Sequence, residues 1–382
     1  MKSNYKSIGP YIRIVDVRNM EDKKENLFGV SVSKVFIKSI ANTVGTNFKT
    51  YRVVKKNQFT YIPDTSRRGD KIGVALLENE EEGLVSQAYT VFEITNKKRL
   101  LPEYLMMWFR RPEFDRYARY ISHGSVREIF SWEDMCNVSL PIPSLEKQHE
   151  IVAEYNVIQN RINLNNHLIQ KLEETTQAIY KQWFVDGIDL ENLPEGWKAC
   201  TVSDLSDYSN KRIPVEKLGL DNYISTENML QNREGIVLAN GLPSTGGATM
   251  FSIGNILISN IRPYFKKIWL SDFNGGCSND VLCFVPKKNI PSLYLYQILK
   301  KNNFFEYVMA GSKGTKMPRG DKKWVLNYPA IMPNDESLDK FNKIAIVTQN
   351  NINHKKQENK KLSEMKDLLL SKIATIEDKA ND

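Results

Sequence analysis

Apolar side chains recur at alternating steps of four and three along one stretch of the chain: Ile151, Tyr155, Ile158, Ile162, Asn165, Ile169, Leu172, Thr176, Ile179 and Trp183. That spacing is the a/d rhythm of a coiled-coil seam. Glu146, Lys147, Glu150, Arg161, Lys171, Glu173 and Glu174 fall on the other faces, which stay in water. Pro141-Ile142-Pro143-Ser144 precedes the stripe, and Ser144 suits an N-cap. The pattern predicts one helix over residues 145–183, roughly 55 Å long at about 1.5 Å per residue. A helix apolar along a single stripe needs a partner of comparable length. Residues 336–376 supply one, with a poorer seam: Phe341, Ala345, Thr348, Ile352, Lys355, Asn359, Leu362, Lys366, Leu369 and Ile373. Asn165, Lys355 and Asn359 either fix the register of the pair or lie on a frayed edge of it.

The two stripes align at an offset of about 190 residues, far above a solenoid period. Pro333 falls on Pro143, Ile352-Asn353 on Ile162-Asn163, Lys361-Leu362 on Lys171-Leu172, and Glu364 on Glu174. The match continues upstream, where Gly254-Asn255-Ile256-Leu257 falls on Gly69-Asp70-Lys71-Ile72, Ile290-Pro291 on Leu101-Pro102, and Gly311-Ser312 on Gly124-Ser125. Coincidences kept in order along the whole chain indicate a duplication of a globular domain plus helix. The expected organisation is therefore residues 1–143 globular, 144–188 helix, 189–333 globular and 334–382 helix. In the first unit, residues 11–17, 30–37, 71–77 and 89–94 read as strands and Pro102–Ile121 as one amphipathic helix. In the second, residues 255–261 and 281–285 read as strands and Pro291–Met309 as a helix. Strands and helices without regular βαβ alternation give an α+β class. The two globular domains are expected to be separated by two long antiparallel helices, a coiled-coil spacer with an internal pseudo-twofold.

A length of 382 residues is compatible with this arrangement, and the net charge of +8 adds that the partner is acidic, a nucleic acid or an anionic surface. The four cysteines form no CxxC pair, and no apolar run approaches a membrane span, so a soluble, reduced, cytoplasmic protein is expected. Catalytic signatures are absent: there is no phosphate-binding GxxxxGK[ST], no dinucleotide GxGxxG, no adenine-methyltransferase motif and no metal-ligand cluster. A His123–Cys136 nucleophile pair is the weak exception. What remains are basic loops in both units. Arg52, Arg67, Arg68, Ser125 and Arg127 mark the first, and Arg262, Lys266, Lys267, Ser312, Lys313, Lys316 and Arg319 the second. Glycines among them let backbone approach a phosphate, lysines neutralise it, and arginines can reach base edges.

The run Leu140-Pro141-Ile142-Pro143-Ser144-Leu145-Glu146-Lys147-Gln148, the opening Leu193-Pro194-Glu195-Gly196-Trp197, the stretch Gly254-Asn255-Ile256-Leu257-Ile258-Ser259 and the Gly311–Pro318 loop occur in an order that resembles the sequence-specificity (S) subunits of type I restriction-modification enzymes. The resemblance implies two target recognition domains, each reading half of a split site in double-stranded DNA, with the helices setting the gap. It implies no catalysis and no cofactor in this chain. Two methyltransferase (modification) subunits would bring S-adenosylmethionine, and motor-nuclease (restriction) subunits ATP and Mg²⁺. Ile151, Ile158, Ile162, Ile169, Leu172, Ile179, Ile352, Leu362 and Leu369 are the expected partner-binding residues on the helices. The alternatives are a subunit of a methylation-only system, a coiled-coil protein-interaction scaffold, and an enzyme with a diverged motif.

Overall fold

The computed structural model describes residues 5–39, 43–65, 71–122 and 128–376. The chain divides into two compact units, residues 1–164 with 358–382 and residues 165–357. The long helices do not form a body of their own, because each globular core takes half of each helix into itself.

In unit 1 the strands are β1 (Tyr5–Ser7), β2 (Ile12–Val15), β3 (Leu27–Val30), β4 (Phe36–Lys38), β5 (Arg52–Lys55), β6 (Phe59–Tyr61), β7 (Val74–Leu76), β8 (Glu82–Val85) and β9 (Thr90–Ile94). Helices α1 (Pro102–Phe109), α2 (Pro112–Ser122) and α3 (Trp132–Asn137) follow, then β10 (Ser139–Pro141) and the long α4 (Leu145–Phe184). The strand expected over 30–37 is two strands, β3 and β4, joined by a turn in which Lys34 takes φ 65°. The single helix expected over Pro102–Ile121 is α1 and α2, because Pro112 cannot donate within a helix and starts a new one. One sheet has the order β2-β9-β6-β7, all antiparallel, and the other β4-β3-β8-β5, with β3 parallel to β8. Phe59 stacks on Phe92 at 4.8 Å in a core that α1 covers with Tyr104, Leu105 and Phe109.

Unit 2 repeats this plan. It contains β11 (Lys198–Thr201), α5 (Val202–Leu205), β12 (Ser206–Tyr208), β13 (Arg212–Pro214), β14 (Tyr223–Ile224), β15 (Gly247–Phe251), β16 (Ile256–Ser259), β17 (Ile268–Leu270), β18 (Gly275–Cys277) and β19 (Val281–Pro286). Then come α6 (Ser292–Leu299), α7 (Asn302–Ala310), α8 (Lys322–Leu326), β20 (Pro329–Met332) and the long α9 (Asp335–Lys372). The order β12-β19-β16-β17 matches β2-β9-β6-β7, and β11–β20 matches β1–β10. In the second sheet β14 runs parallel to β18 as β3 does to β8. Where unit 2 has β13 beside β15, unit 1 keeps only an isolated Arg18–Arg52 bridge. Pro291–Met309, expected as one helix, is α6 and α7.

Every seam position named from the sequence is buried or half-buried. In unit 1, Ile151 and Tyr155 of α4 share a core with Leu370 and Ile373, and Arg161 Nε donates to Glu358 Oε1 at 2.6 Å. In unit 2, Tyr180 and Phe184 of α4 meet Phe341 of α9. Within each unit the two helices therefore run antiparallel. Lys147 N–H donates to Ser144 Oγ and Ser337 N–H to Asn334 Oδ1, so each long helix starts on a side-chain cap. Gln148 is fully buried and fully paired: its oxygen accepts from Leu101 N–H, and its amide donates to the carbonyls of Arg99 and Pro143. The glutamine that closes the Pro141–Gln148 run thus pins the start of α4 to unit 1.

Candidate nucleic-acid interface

In unit 2 the chain leaves β16 into a tight 3-10 turn, Pro263–Phe265, flanked by Arg262 at φ 50° and Lys266 at φ 52°. Left-handed backbone costs a side-chain-bearing residue about 1–2 kcal/mol, so the surroundings hold this turn. The second loop is a hairpin closed by Lys313 and Arg319, whose backbone groups exchange hydrogen bonds of 2.9 and 3.0 Å, with Gly314 at φ 90° near its tip. Arg262 N–H donates to Pro318 O at 2.8 Å, and Gly320 N–H to Asn260 O at 3.2 Å. The two loops therefore form one surface. Gly320 is required there, since a Cβ would lie 2.7 Å from Asn260 Oδ1. Gly311, read from the sequence as room for a phosphate, instead makes room for Trp324, whose indole a Cβ would strike at 2.1 Å.

The loop cations have different fates. Lys316 is exposed at the hairpin tip. Lys313 lies 3.2 Å from Asp321 and Arg319 3.2 Å from Asp280, both on solvent-exposed side chains where such pairs contribute little. Arg262 is half-buried, and its Nε is buried with no acceptor among the described residues. Lys266 and Lys267 are tied inward: Lys266 Nζ donates to Asn302 Oδ1 at 2.9 Å and Lys267 Nζ to Thr226 O at 2.6 Å. Burial pulls the Lys267 ammonium below the usual lysine range. Ser312 Oγ caps its own helix by donating to Met309 O at 2.7 Å.

Unit 1 has the same junction. Phe130 N–H donates to Pro63 O at 2.9 Å beside an Asp64–Ile129 bridge, and Thr65 Oγ1 donates to Glu128 O at 2.6 Å. The flanks of residues 66–70 and 123–127 thus meet as the two loops of unit 2 do. Arg67, Arg68, Ser125 and Arg127 lie outside the described residues, as does His123. Burial raises the Cys136 thiol pKa, the opposite of what a nucleophile requires. Arg52 is a structural arginine: it donates to Asp16 Oδ1 at 2.9 Å and to Gln87 O at 2.6 Å, and its hydrogen bond holds the Asp16 carboxyl below the usual range.

The nine helix residues expected to bind a partner face inward. Ile151, Ile158, Ile162, Ile169, Leu172, Ile179, Ile352, Leu362 and Leu369 are buried or half-buried, because the helix pair consumes its own apolar stripe. Sequence reasoning missed the apolar side chains left outside, chiefly Val157 at 70 % exposure and Val347 at 61 %. They lie outside both seams, and their place in the repeat was their signal.

A chain of two like α+β units, each with a share of two long helices, defines a duplicated α+β class. Residues 2–174 match the family described as the type I restriction modification DNA specificity domain. The chain is 27 % identical over 150 residues to the type I restriction enzyme HindI specificity subunit of Haemophilus influenzae, covering 38 % of this chain and 32 % of that protein. It is 24 % identical over 142 residues to the MjaIX specificity subunit of Methanocaldococcus jannaschii, covering 34 % and 33 %. The matched part spans about a third of these relatives. The fold as a whole is similar to the crystal structure of a type I restriction-modification S subunit from M. genitalium, with a TM-score of 0.55 at 14 % identity, covering 97 % of this chain and 95 % of that one. The sequence likeness lies in residues 2–174, and the likeness of the whole chain to the M. genitalium S subunit is one of fold.

Proposed function

We propose that the chain is the non-catalytic DNA sequence-recognition subunit of a type I restriction-modification system. Each unit reads one half of a bipartite duplex site with its paired loops, and the helices set the gap. The duplication supports this reading: two units of one topology carry a β-bridge at equivalent places, between the two loops of unit 2 and between the flanks of residues 66–70 and 123–127 in unit 1. On this reading the chemistry belongs to partners, two modification subunits with S-adenosylmethionine and motor-nuclease subunits using ATP and Mg²⁺, in the cytoplasm. No helix among the described residues is long and apolar enough to cross a membrane.

Duplex binding by the full chain is expected to weaken steeply with salt, and Lys316→Met to lower the log–log slope by about one. Fluorescence anisotropy from 50 to 300 mM salt measures this; a flat dependence would mean a protein-binding scaffold instead. Val157 and Val347 occupy equivalent places in the repeat and are proposed to receive one modification subunit each. Val157→Asp or Val347→Asp is then expected to yield a complex with one modification subunit and the double variant none, by native mass spectrometry. Loss of both subunits from either single variant would contradict the assignment.

A further inference from the structure

The repeat places a cation at positive φ after each of the two equivalent parallel strands. Lys34 follows β3 at φ 65°, and Arg233 follows β14 at φ 67°. Lys34 ties Ile72 to α2, and Arg233 ties Lys266 to the α6–α7 junction. Lys34 Nζ donates to Ile72 O at 2.9 Å and pairs with Asp115 on α2, beside the Phe114 ring. Arg233 N–H donates to Lys266 O at 3.1 Å, the end of the 262–266 turn. Its guanidinium donates to Lys300 O at 2.7 Å and to Asn302 Oδ1 at 2.6 Å, at the α6–α7 junction, and lies 5.7 Å from the Phe305 ring. Lys266 Nζ shares the same Asn302 oxygen. Two cations from different places in the sequence, each in a backbone conformation that side chains resist, converge on one arrangement.

We propose that Arg233 is a positioning residue, a clasp that sets the geometry of the 262–266 recognition turn of unit 2 and so determines base preference at one half-site without touching DNA. This rests on the DNA-reading function proposed above. Lys266 belongs to the clasp of unit 2 rather than to its phosphate contacts.

Selection of duplexes by the full chain from a randomised library, followed by binding across a salt series, tests it. Arg233→Gly removes the side chain while suiting the positive φ, so folding is not the casualty. The expected result is at least a tenfold loss of base preference in one half of the selected motif, the other half unchanged, and an unchanged salt slope. Arg233→Lys, which keeps a donor, restores part of the preference. A wild-type motif that Arg233→Gly leaves intact overturns the proposal alone, as does a salt slope lowered by about one, which would make Arg233 a phosphate contact. Equal flattening of both halves also overturns it. A wild-type chain that enriches no motif overturns the DNA-reading function and the proposal together.

Discussion

Asp115→Asn is expected to destabilise unit 1 by about 3–5 kcal/mol, the usual consequence of leaving one partner of a buried ion pair uncompensated. Lys34 and Asp115 side chains are only 5 % and 11 % exposed, and the ammonium sits 2.5 Å from the carboxylate. Both members also bind one backbone residue: Asp115 accepts from Ile72 N–H at 3.0 Å, and Lys34 donates to Ile72 O. Burial pulls the Lys34 pKa down against the opposing pull of Asp115, so the cation depends on its partner to stay charged where it is. The amide of asparagine matches the shape but not the charge. Replacing both residues by Met and Leu is expected to recover most of the loss, since desolvating a pair offsets much of its attraction. Urea denaturation followed by circular dichroism measures both; a single variant within 1 kcal/mol of wild type would show that water reaches the site.

Much of the fold was legible because it is periodic. The a/d rhythm named a set of positions along both long helices that all turn inward, including Asn165, which is fully buried. The reading slips only at the ends. Tyr180 and Phe184 are buried, whereas the expected Ile179 and Trp183 are half-buried, and Leu370 is more buried than Leu369. A straight α-helix drifts about 20° per heptad against a seven-residue repeat, so after several heptads the inward face has moved to the next residue. The break at Pro112 was written in the sequence, whereas the one between α6 and α7 was not. There the carbonyl of Lys300 is satisfied by Arg233, a partner 67 residues away. The same limit governs the interface. Composition located the basic loops, but Lys266, Lys267 and Arg52 are held by Asn302, Thr226 and Asp16, acceptors that only the folded chain brings near. Charge alone does not distinguish a lysine facing DNA from one holding a loop.

Phe341→Ala is expected to remove about 3–5 kcal/mol from unit 2. Phe341 is 1 % exposed, and its ring lies 5.4 Å from Phe184, 6.1 Å from Tyr180 and 6.3 Å from Tyr294. This aromatic cluster joins both long helices to α6, so truncation leaves a cavity where three elements meet. Phe341→Leu, which keeps most of the volume, is expected to cost less than about 1.5 kcal/mol. Trp183 and Trp197 lie beside Phe184 and report the loss by fluorescence, whereas Trp132 packs in unit 1 against Phe92. The expected unfolding curve gains an early transition about 10 °C below the wild type, seen by the unit 2 tryptophans. Combining Phe341→Ala with Asp115→Asn is expected to add within about 0.5 kcal/mol, because the sites share no partner. If each unit reads its own half-site, warming the Phe341→Ala chain past that early transition erases preference at one half of the DNA motif first. Simultaneous loss of both halves would mean that the units fold and read as a single cooperative body, since the helices they share would then transmit the damage.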